Sequence, residues 1–411
     1  MQANENQEAL SSFAALLTPA GQEALQAAQS LRPREEDFLN HFGSLCRSYP
    51  SPVARLALQI AILRMEGREK FPLAEQMYFT RAALEQASAY EISTYRARRF
   101  QGYAPLFDLG CSIGGDTLAL AEIAPTVGLD LDRLRLVMAK ENLTAAGLER
   151  QALFLCADLN RPLPFQLPPD AGLFFDPARR ANGRRIFSVG EYRPPLRRIE
   201  DWIATTPALG VKISPGVKMA EIETLDAEVE FISLRGELKE AVLWFGPLKR
   251  SKRRATILPG PFTMVVDVSD EPAAIGLSEP RTYLYEPDPA VLRAGLVRRL
   301  ATQLDAAQLD TQIAYLTSDG LRHTPFARAW SVQSWFPFNL KRLRAELRRQ
   351  NVGEVIVKKR GSPLQPEELI RRLHLKGDQR MVVFLTHLRG RPIVILSAGE
   401  ARQDIPDYFL R

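Results

Sequence analysis

Cysteine is scarce: Cys46, Cys111 and Cys156 are the three in 411 residues. They are far apart, show no metal-ligand spacing and cannot form a disulfide framework. A cystine-braced secreted module and a cysteine metal site are therefore excluded, and no metal is expected. Cys111 and Cys156 are expected to be small buried residues rather than nucleophiles. No run of roughly 18 apolar residues occurs, so no membrane-spanning helix is expected. The opening residues are polar and acidic, without the basic start and apolar core of a secretory signal. A reducing, cytoplasmic setting fits these absences. Repeats and low-complexity tracts are also missing.

What is present is ordinary for a globular chain, 45% hydrophobic and 25% charged, and its length suits two or three domains. The net charge of +6 is uneven. From Arg281 to Arg411 there are about 22 Lys/Arg against about 13 Asp/Glu, while the rest is near neutral. Such asymmetry points to a polyanionic partner; the alternative is a solvated basic face.

Residues 104–132 organise the chain. An apolar run ends at Asp108-Leu-Gly110, a small-residue loop covers Cys111 to Gly115, an Ala/Leu-rich helix pattern follows, and a second apolar run ends at Asp130. This is strand, glycine turn, helix, strand, half of a nucleotide-binding sheet. Gly110, Gly114 and Gly115 allow close backbone approach or positive φ. The helix start then offers unpaired N–H groups to an anionic ligand group. Asp130, at the end of the next strand, can accept both ribose hydroxyls. Two cofactors fit. A dinucleotide site wants Gly-x-Gly-x-x-Gly, matched only in part. An S-adenosylmethionine site wants Asp-x-Gly-x-Gly-x-Gly; Asp108, Gly110 and Gly114 match, with Ser112 at the middle glycine.

Later stations favour the second. Phe154-Leu-Cys-Ala-Asp158-Leu159 and Gly172-Leu-Phe-Phe-Asp176-Pro177-Ala178-Arg179 are apolar runs ending in acids. They resemble the third-strand motif of the class I methyltransferases, whose Asp binds the adenine amino group, and that family's Asp-Pro-Pro-like catalytic motif. Strands are expected near 104–110, 125–130, 152–157, 171–176 and 207–213, and helices near 115–124, 132–146 and 195–206. The alternation implies a mainly parallel sheet. Residues 229–245 read as a hairpin turning at Gly236, whereas a dehydrogenase sheet would keep helices between its strands.

Residues 1–95 read as short helices divided by prolines. Phe79-Thr80 precedes a helix that Thr80 can cap. In many nucleic-acid methyltransferases an aromatic-Thr pair here packs on the cofactor; a capped helix with one buried Phe is the other reading. Tyr95-Arg96-Ala-Arg98-Arg99 puts basic residues just before the sheet. Residues 248–262 are basic and Pro/Gly-rich, a short β extension spans 263–268, and 270–280 reads as a linker. A helix is expected from Tyr283 to about Leu304. A basic helix follows at 340–350, a strand ending at Gly361, a helix at 366–374, and strands at 381–388 and 392–397. Residues 322–360 combine Arg/Lys with aromatics, residue types suited to phosphates and stacked bases. At least two of Trp330, Trp335 and Phe338 are expected in the core.

Met77-Tyr-Phe-Thr with Leu84-Glu-Gln-Ala, the 108–117 loop, Asp176-Pro-Ala-Arg-Arg and Val352-Gly-Glu-Val-Ile-Val-Lys-Lys-Arg-Gly together resemble the bacterial class I methyltransferases with a THUMP-like C-terminal domain. The resemblance covers about residues 70–400. It implies an α/β fold: a Rossmann-like class I methyltransferase sheet (96–270), an N-terminal helical region (1–95) and a small C-terminal α+β, THUMP-like domain (281–411). It also implies S-adenosylmethionine as cofactor and an RNA substrate, tRNA or rRNA. Cofactor residues on this resemblance are Phe79, Thr80, Asp108, Gly110, Ser112, Gly114, Gly115, Asp116, Asp130, Asp158 and Leu159. Asp176, Pro177 and Arg179 are the catalytic candidates. The catalytic part also looks related to trimethylguanosine-synthase-like enzymes but lacks their Pro-Pro-Trp. It resembles the 5-methyluridine RNA methyltransferases too, yet Val211-Lys212-Ile-Ser214-Pro-Gly216 carries no cysteine nucleophile. Attack by a base nitrogen remains, with a small-molecule or protein substrate, or a non-catalytic RNA-binding scaffold, as alternatives.

Overall fold

The computed structural model describes residues 2–178, 180–181, 184–185, 188–267 and 274–401. They form two compact units, residues 1–229 with 239–250, and residues 230–238 with 251–411.

In the first unit, β1 (Leu106–Leu109), β2 (Thr126–Asp130), β3 (Ala152–Cys156), β4 (Gly172–Phe175) and β5 (Leu209–Ile213) run parallel. Leu-Phe-Asp-Leu and Gly-Leu-Phe-Phe are buried throughout, as central parallel strands covered on both faces must be. β6 (Ala227–Leu234) and β7 (Glu237–Phe245) make the expected hairpin, whose residues 230–238 are counted with the second unit, and β7 lies antiparallel to β5 with Val211 opposite Leu243. The strand order is β6-β7-β5-β4-β1-β2-β3. It reverses between β1 and β4, a switch point that opens a crevice at the strands' carboxyl ends.

Helix α7 (Gly115–Ala121) links β1 to β2, and α8 (Arg133–Ala145) links β2 to β3. Asp132 caps α8 by accepting from the N–H groups of Leu134 and Arg135 at 3.0 and 3.2 Å. The expected helix at 195–206 is shorter, a 3-10 turn followed by α9 (Ile199–Ile203). The N-terminal helices, including α2 (Pro19–Ser30) and α4 (Ser51–Gly67), share one core with the sheet's helices, because Leu25, Leu58 and Phe79 cluster with Ile113, Leu118 and Leu143.

In the second unit, β8 (Arg253–Leu258) and β9 (Phe262–Val266) pair antiparallel. β8 falls in the basic, Pro/Gly-rich stretch, where its last four residues, Ala255 to Leu258, are all buried. The expected helix from Tyr283 is also corrected. Tyr283–Pro287 is strand β10, and Asp288 caps a short α10 (Pro289–Ala294) that stops at Gly295, φ 72°, before α11 (Val297–Leu304). Tyr-Leu-Tyr favours the pleated surface, while Asp-Pro and Gly punctuate the helix on either side. β10 lies in a sheet of order β11 (Ala307–Asp310), β12 (Ile313–Ser318), β10, β13 (Ala327–Ser331). A second sheet has the order β14 (Ser334–Pro337), β17 (Arg391–Ser397), β16 (Gln379–Leu388), β15 (Val352–Lys359), covered by α12 (Leu340–Arg349) and α13 (Pro366–Leu373). Trp330 and Trp335 join the core, and Phe338 is exposed.

Gly110 and Gly102 both have positive φ, 89° and 92°. A Cβ on Gly110 would sit 2.7 Å from the Asp176 carbonyl oxygen, whereas one on Gly102 would meet open space. Gly102→Ala is expected to cost about 1–2 kcal/mol for the left-handed backbone alone. Gly110→Ala should cost roughly 2 kcal/mol more through the clash. Denaturant titration of the two variants checks this; equal losses would contradict it.

Candidate active site

The loop after β1 winds tightly. Gly110, Ser112 and Gly114 all have positive φ. The N–H groups of Gly110 and Cys111 both donate to the Leu129 carbonyl, at 2.8 and 3.0 Å. Asp130 fixes the loop from the next strand: it accepts from the backbone N–H of Ser112 and of Asp132, each at 2.9 Å. Each carboxylate oxygen keeps a lone pair for a ligand hydroxyl. Leu131 beside it is an apolar residue that is 66% exposed.

Asn142, on α8, is fully buried and was not singled out from sequence. It accepts from the Tyr78 N–H at 2.7 Å and donates to the Ile113 carbonyl at 2.9 Å. This ties the segment before Phe79 to the glycine loop. Phe79 is buried against Phe71, whose ring lies over Gly115. Thr80 caps α5 (Arg81–Gln86), accepting from the Ala83 N–H at 3.2 Å.

Two of the sequence-predicted acids face inward. Asp108 is buried and accepts from the Thr117 hydroxyl at 2.6 Å. Burial, then the nearby charge of Asp116, holds its carboxyl well above the ordinary range, against the opposing Thr117 bond. Asp116 accepts from Ser93 at 2.5 Å and pairs with Arg96. Arg96 also reaches Glu240 at 3.1 Å and lies over the Phe174 ring at 4.5 Å. Burial opposes its charge, but Asp116 and Glu240 more than offset this and raise its pKa. Arg99 pairs with Glu228 at 2.7 Å and covers Trp244. These two arginines, which the sequence showed only as basic residues just before the sheet, are therefore internal counterions. Their spacing of three along a turn that also buries Phe100 was the available signal.

Asp158 lies two residues beyond Cys156, which pairs with Asp130 across β2 and β3. One of its oxygens accepts from the backbone and side chain of Asn160, at 3.0 and 2.9 Å, and these bonds hold its carboxyl below the usual range. Leu159 is buried, its carbonyl accepting from Arg198 at 3.2 Å. Asp176 follows β4 with its backbone against Gly110. Its carboxylate is about one-fifth exposed, at 21%, and accepts from the buried Lys212 ammonium at 2.8 Å. Pro177 is buried. Arg179 lies outside the described residues.

Cys111 is buried, and burial, then Asp108 and Asp130, push its thiol well up, which makes it inert. Cys156 is exposed rather than buried, because β3 is the edge strand of this sheet. Among the described residues there is no His/Cys/Asp/Glu group that could hold a metal, and no helix long and apolar enough to cross a membrane.

Two curated relatives, from Mycobacterium tuberculosis strains CDC 1551 / Oshkosh and ATCC 25618 / H37Rv, are uncharacterized S-adenosylmethionine-dependent methyltransferases. Each is 39% identical over 319 residues, spanning 76% of this chain and 85% of the relative. The chain belongs to the S-adenosylmethionine-dependent methyltransferases. A THUMP domain-like family matches residues 327–398, and a domain of unknown function matches residues 9–66. The crystal structure of a candidate methyltransferase from Porphyromonas gingivalis W83 shares the fold at 19% identity, with a TM-score of 0.72 over 90% of this chain and 100% of that one. This methyltransferase thus uses S-adenosylmethionine, and carries the α/β class I sheet and a THUMP-like C-terminal region.

The state of Asp108 has a signed consequence. The folded protein keeps its proton at pH values where the unfolded chain has released it. Stability from this group is complete below the unfolded pKa and is lost as pH rises toward the folded one. Asp108→Asn removes the effect while still accepting from Thr117. The variant should gain on the wild type by up to about 1.4 kcal/mol per pH unit through that window. Thermal melts from pH 4 to 9 test this; a difference independent of pH would contradict it.

Proposed function

We propose that this methyltransferase modifies a base nitrogen in RNA, tRNA or rRNA, in the cytoplasm. The observation that carries the chemistry is Asp176, held by Lys212 and pressed against Gly110 at the end of β4. On this reading the backbone of Gly110, Ser112 and Gly114, with Gly115 opening α7, cradles the methionine end of the cofactor. Asp130 takes the ribose hydroxyls, Asp158 and the Leu159 N–H take the adenine edge, and Leu131 covers its face. Asp108 and Asp116 act from behind the loop by fixing α7, and Phe79 and Thr80 support it.

S-adenosylmethionine supplies an electrophilic methyl group on a sulfonium. Asp176 and carbonyls beyond Pro177 accept N–H bonds from the target base and aim its nitrogen lone pair at that carbon. The Asp176 carboxylate would also take up the proton that the nitrogen sheds on accepting the methyl group. Positioning of this kind is worth roughly 7–11 kcal/mol. Lys212 places positive charge beside Asp176 and fixes its rotamer. Arg179 remains our candidate for a phosphate or base edge. Ring-carbon methylation through a thiolate adduct is disfavoured: Ser214 stands where the nucleophile would be, its N–H bonded to the Tyr192 hydroxyl at 2.9 Å, and Cys111 is inert.

RNA is favoured by the THUMP domain-like match within residues 281–411 and by the cations of α12, where Lys341 and Arg348 are exposed opposite buried Leu343 and Leu347.

Asp176→Asn keeps the shape and an acceptor for Lys212. It should abolish methyl transfer and leave S-adenosylhomocysteine affinity within about tenfold. Wild-type turnover in this variant would end the catalytic assignment. Nucleoside mass spectra of total RNA from wild-type and deletion strains should differ by one methylated nucleoside. RNA binding should weaken steeply with salt, and Lys341→Ala with Arg348→Ala should reduce the logarithmic salt slope by about 2. An unchanged nucleoside profile would argue for a protein or small-molecule acceptor.

A further inference from the structure

The second unit contains a cavity of about 500 Å³ that the methyl-transfer site does not use. Its size is that of a small-ligand site. One wall is apolar and partly aromatic, formed by Phe262, Leu258, Pro259 and Pro325. Arg235, Arg328, Lys358 and Arg360 also line it, four basic side chains against two acids, Glu286 and Asp288.

Both acids are already engaged. Glu286 pairs with Lys358 and lies 3.9 Å from Arg360. Asp288 accepts from the Ser233 hydroxyl at 2.6 Å and the Ala290 N–H at 2.8 Å. An excess of positive charge therefore faces the space. The cations are also seated. Lys358 lies over the Trp330 ring at 4.8 Å, and Arg360 over Tyr315 at 5.0 Å. Gly236, φ 80°, is the turn residue beneath Arg328; a Cβ there would come within 2.7 Å of a guanidinium nitrogen. The loop wall is fixed by the Tyr285 hydroxyl, which accepts from the Arg322 N–H at 2.8 Å and donates to the Gly320 carbonyl at 3.2 Å. Such preorganisation lowers the cost of binding.

We propose that this cavity binds a nucleotide: a flat base on the Phe262 side, its edge toward His323 and Thr324, and its phosphate between Arg328 and Arg360. Guanidinium forks match phosphate oxygens in pairs, and an apolar wall takes a base face whatever its sequence. The same chemistry comes as a free mononucleotide or as one residue of an RNA strand. The site stands whether or not RNA is the methyl acceptor.

The test uses the full chain and calorimetry at low salt. The probes are the four nucleoside 5′-monophosphates separately, inorganic phosphate, and a mixed-sequence single-stranded decaribonucleotide. At least one nucleotide probe should bind with a Kd below about 1 mM, and Arg328→Gln should weaken it about tenfold. S-adenosylhomocysteine affinity should be unchanged, which separates failure here from failure of the methyl-transfer assignment. If Arg328→Gln does not fold, Arg360→Gln gives the same readout. A tighter monophosphate identifies a free nucleotide, and a tighter decamer an RNA strand. The inference is overturned if no nucleotide probe binds below that limit, if phosphate alone binds as tightly, or if affinity is unaffected in the folded variant.

Discussion

Two strand ends meet at Gly110 with no room for a side chain between them. The Asp176 carbonyl oxygen occupies the space where a Cβ would stand, and the Asp176 N–H donates to the Leu109 carbonyl at 3.0 Å. β1 and β4 are parallel neighbours, so the chain leaving one passes directly beside the chain leaving the other. The glycine loop after β1 and the Asp-Pro segment after β4 are thereby one object rather than two loops that must find each other. Loops carry chemistry well only when a rigid frame sets them. Here the frame is two strands buried on both faces.

Beneath that meeting point the interior is charged, which is costly unless every charge is answered. Arg96 answers Asp116 and Glu240, Arg99 answers Glu228, and Ser88 donates to Glu240 at 2.8 Å. A pair of apolar residues could stabilise this region as well as an ion pair does. What apolar residues would not supply is direction. Arg96 connects α6 (Tyr90–Ala97) to the first turn of α7 and to β7 at once. It thereby sets the pose of the helix whose N-terminus faces the loop. The same burial makes Asp108, the acid that opens the motif, reluctant to ionise behind the loop.

The sequence showed the glycine loop, the strand-end acids and the hairpin because each depends on neighbours within a few residues. A strand that must be buried on both faces reads as an apolar run, and a left-handed turn reads as glycine. Residues that bridge distant segments carried no such mark. Asn142 holds Tyr78 across 64 positions and Ser88 meets Glu240 across 152. Lys212 reads as a lone charge in an apolar strand until β5 is laid beside β4. Tyr283 to Leu304 failed differently. Local pattern there is strand, Asp-Pro, a short helix, glycine and a second helix, and only the pairing of β10 with β12 and β13 decides the first piece.

The charge asymmetry resolves into two kinds of cation in the second unit. Lys341 and Arg348 stand in solvent on α12, where they add to a field felt at a distance and screened by salt. Lys358 and Arg360 lie over aromatic rings and beside Glu286, each about one-fifth exposed at 22% and 23%. Partial desolvation strengthens such charges and fixes where they act. The first kind gathers a polyanion without choosing among polyanions, and the second can choose. If RNA is the acceptor, as proposed, finding one nucleotide among many would call on both, because attraction alone gives affinity without register.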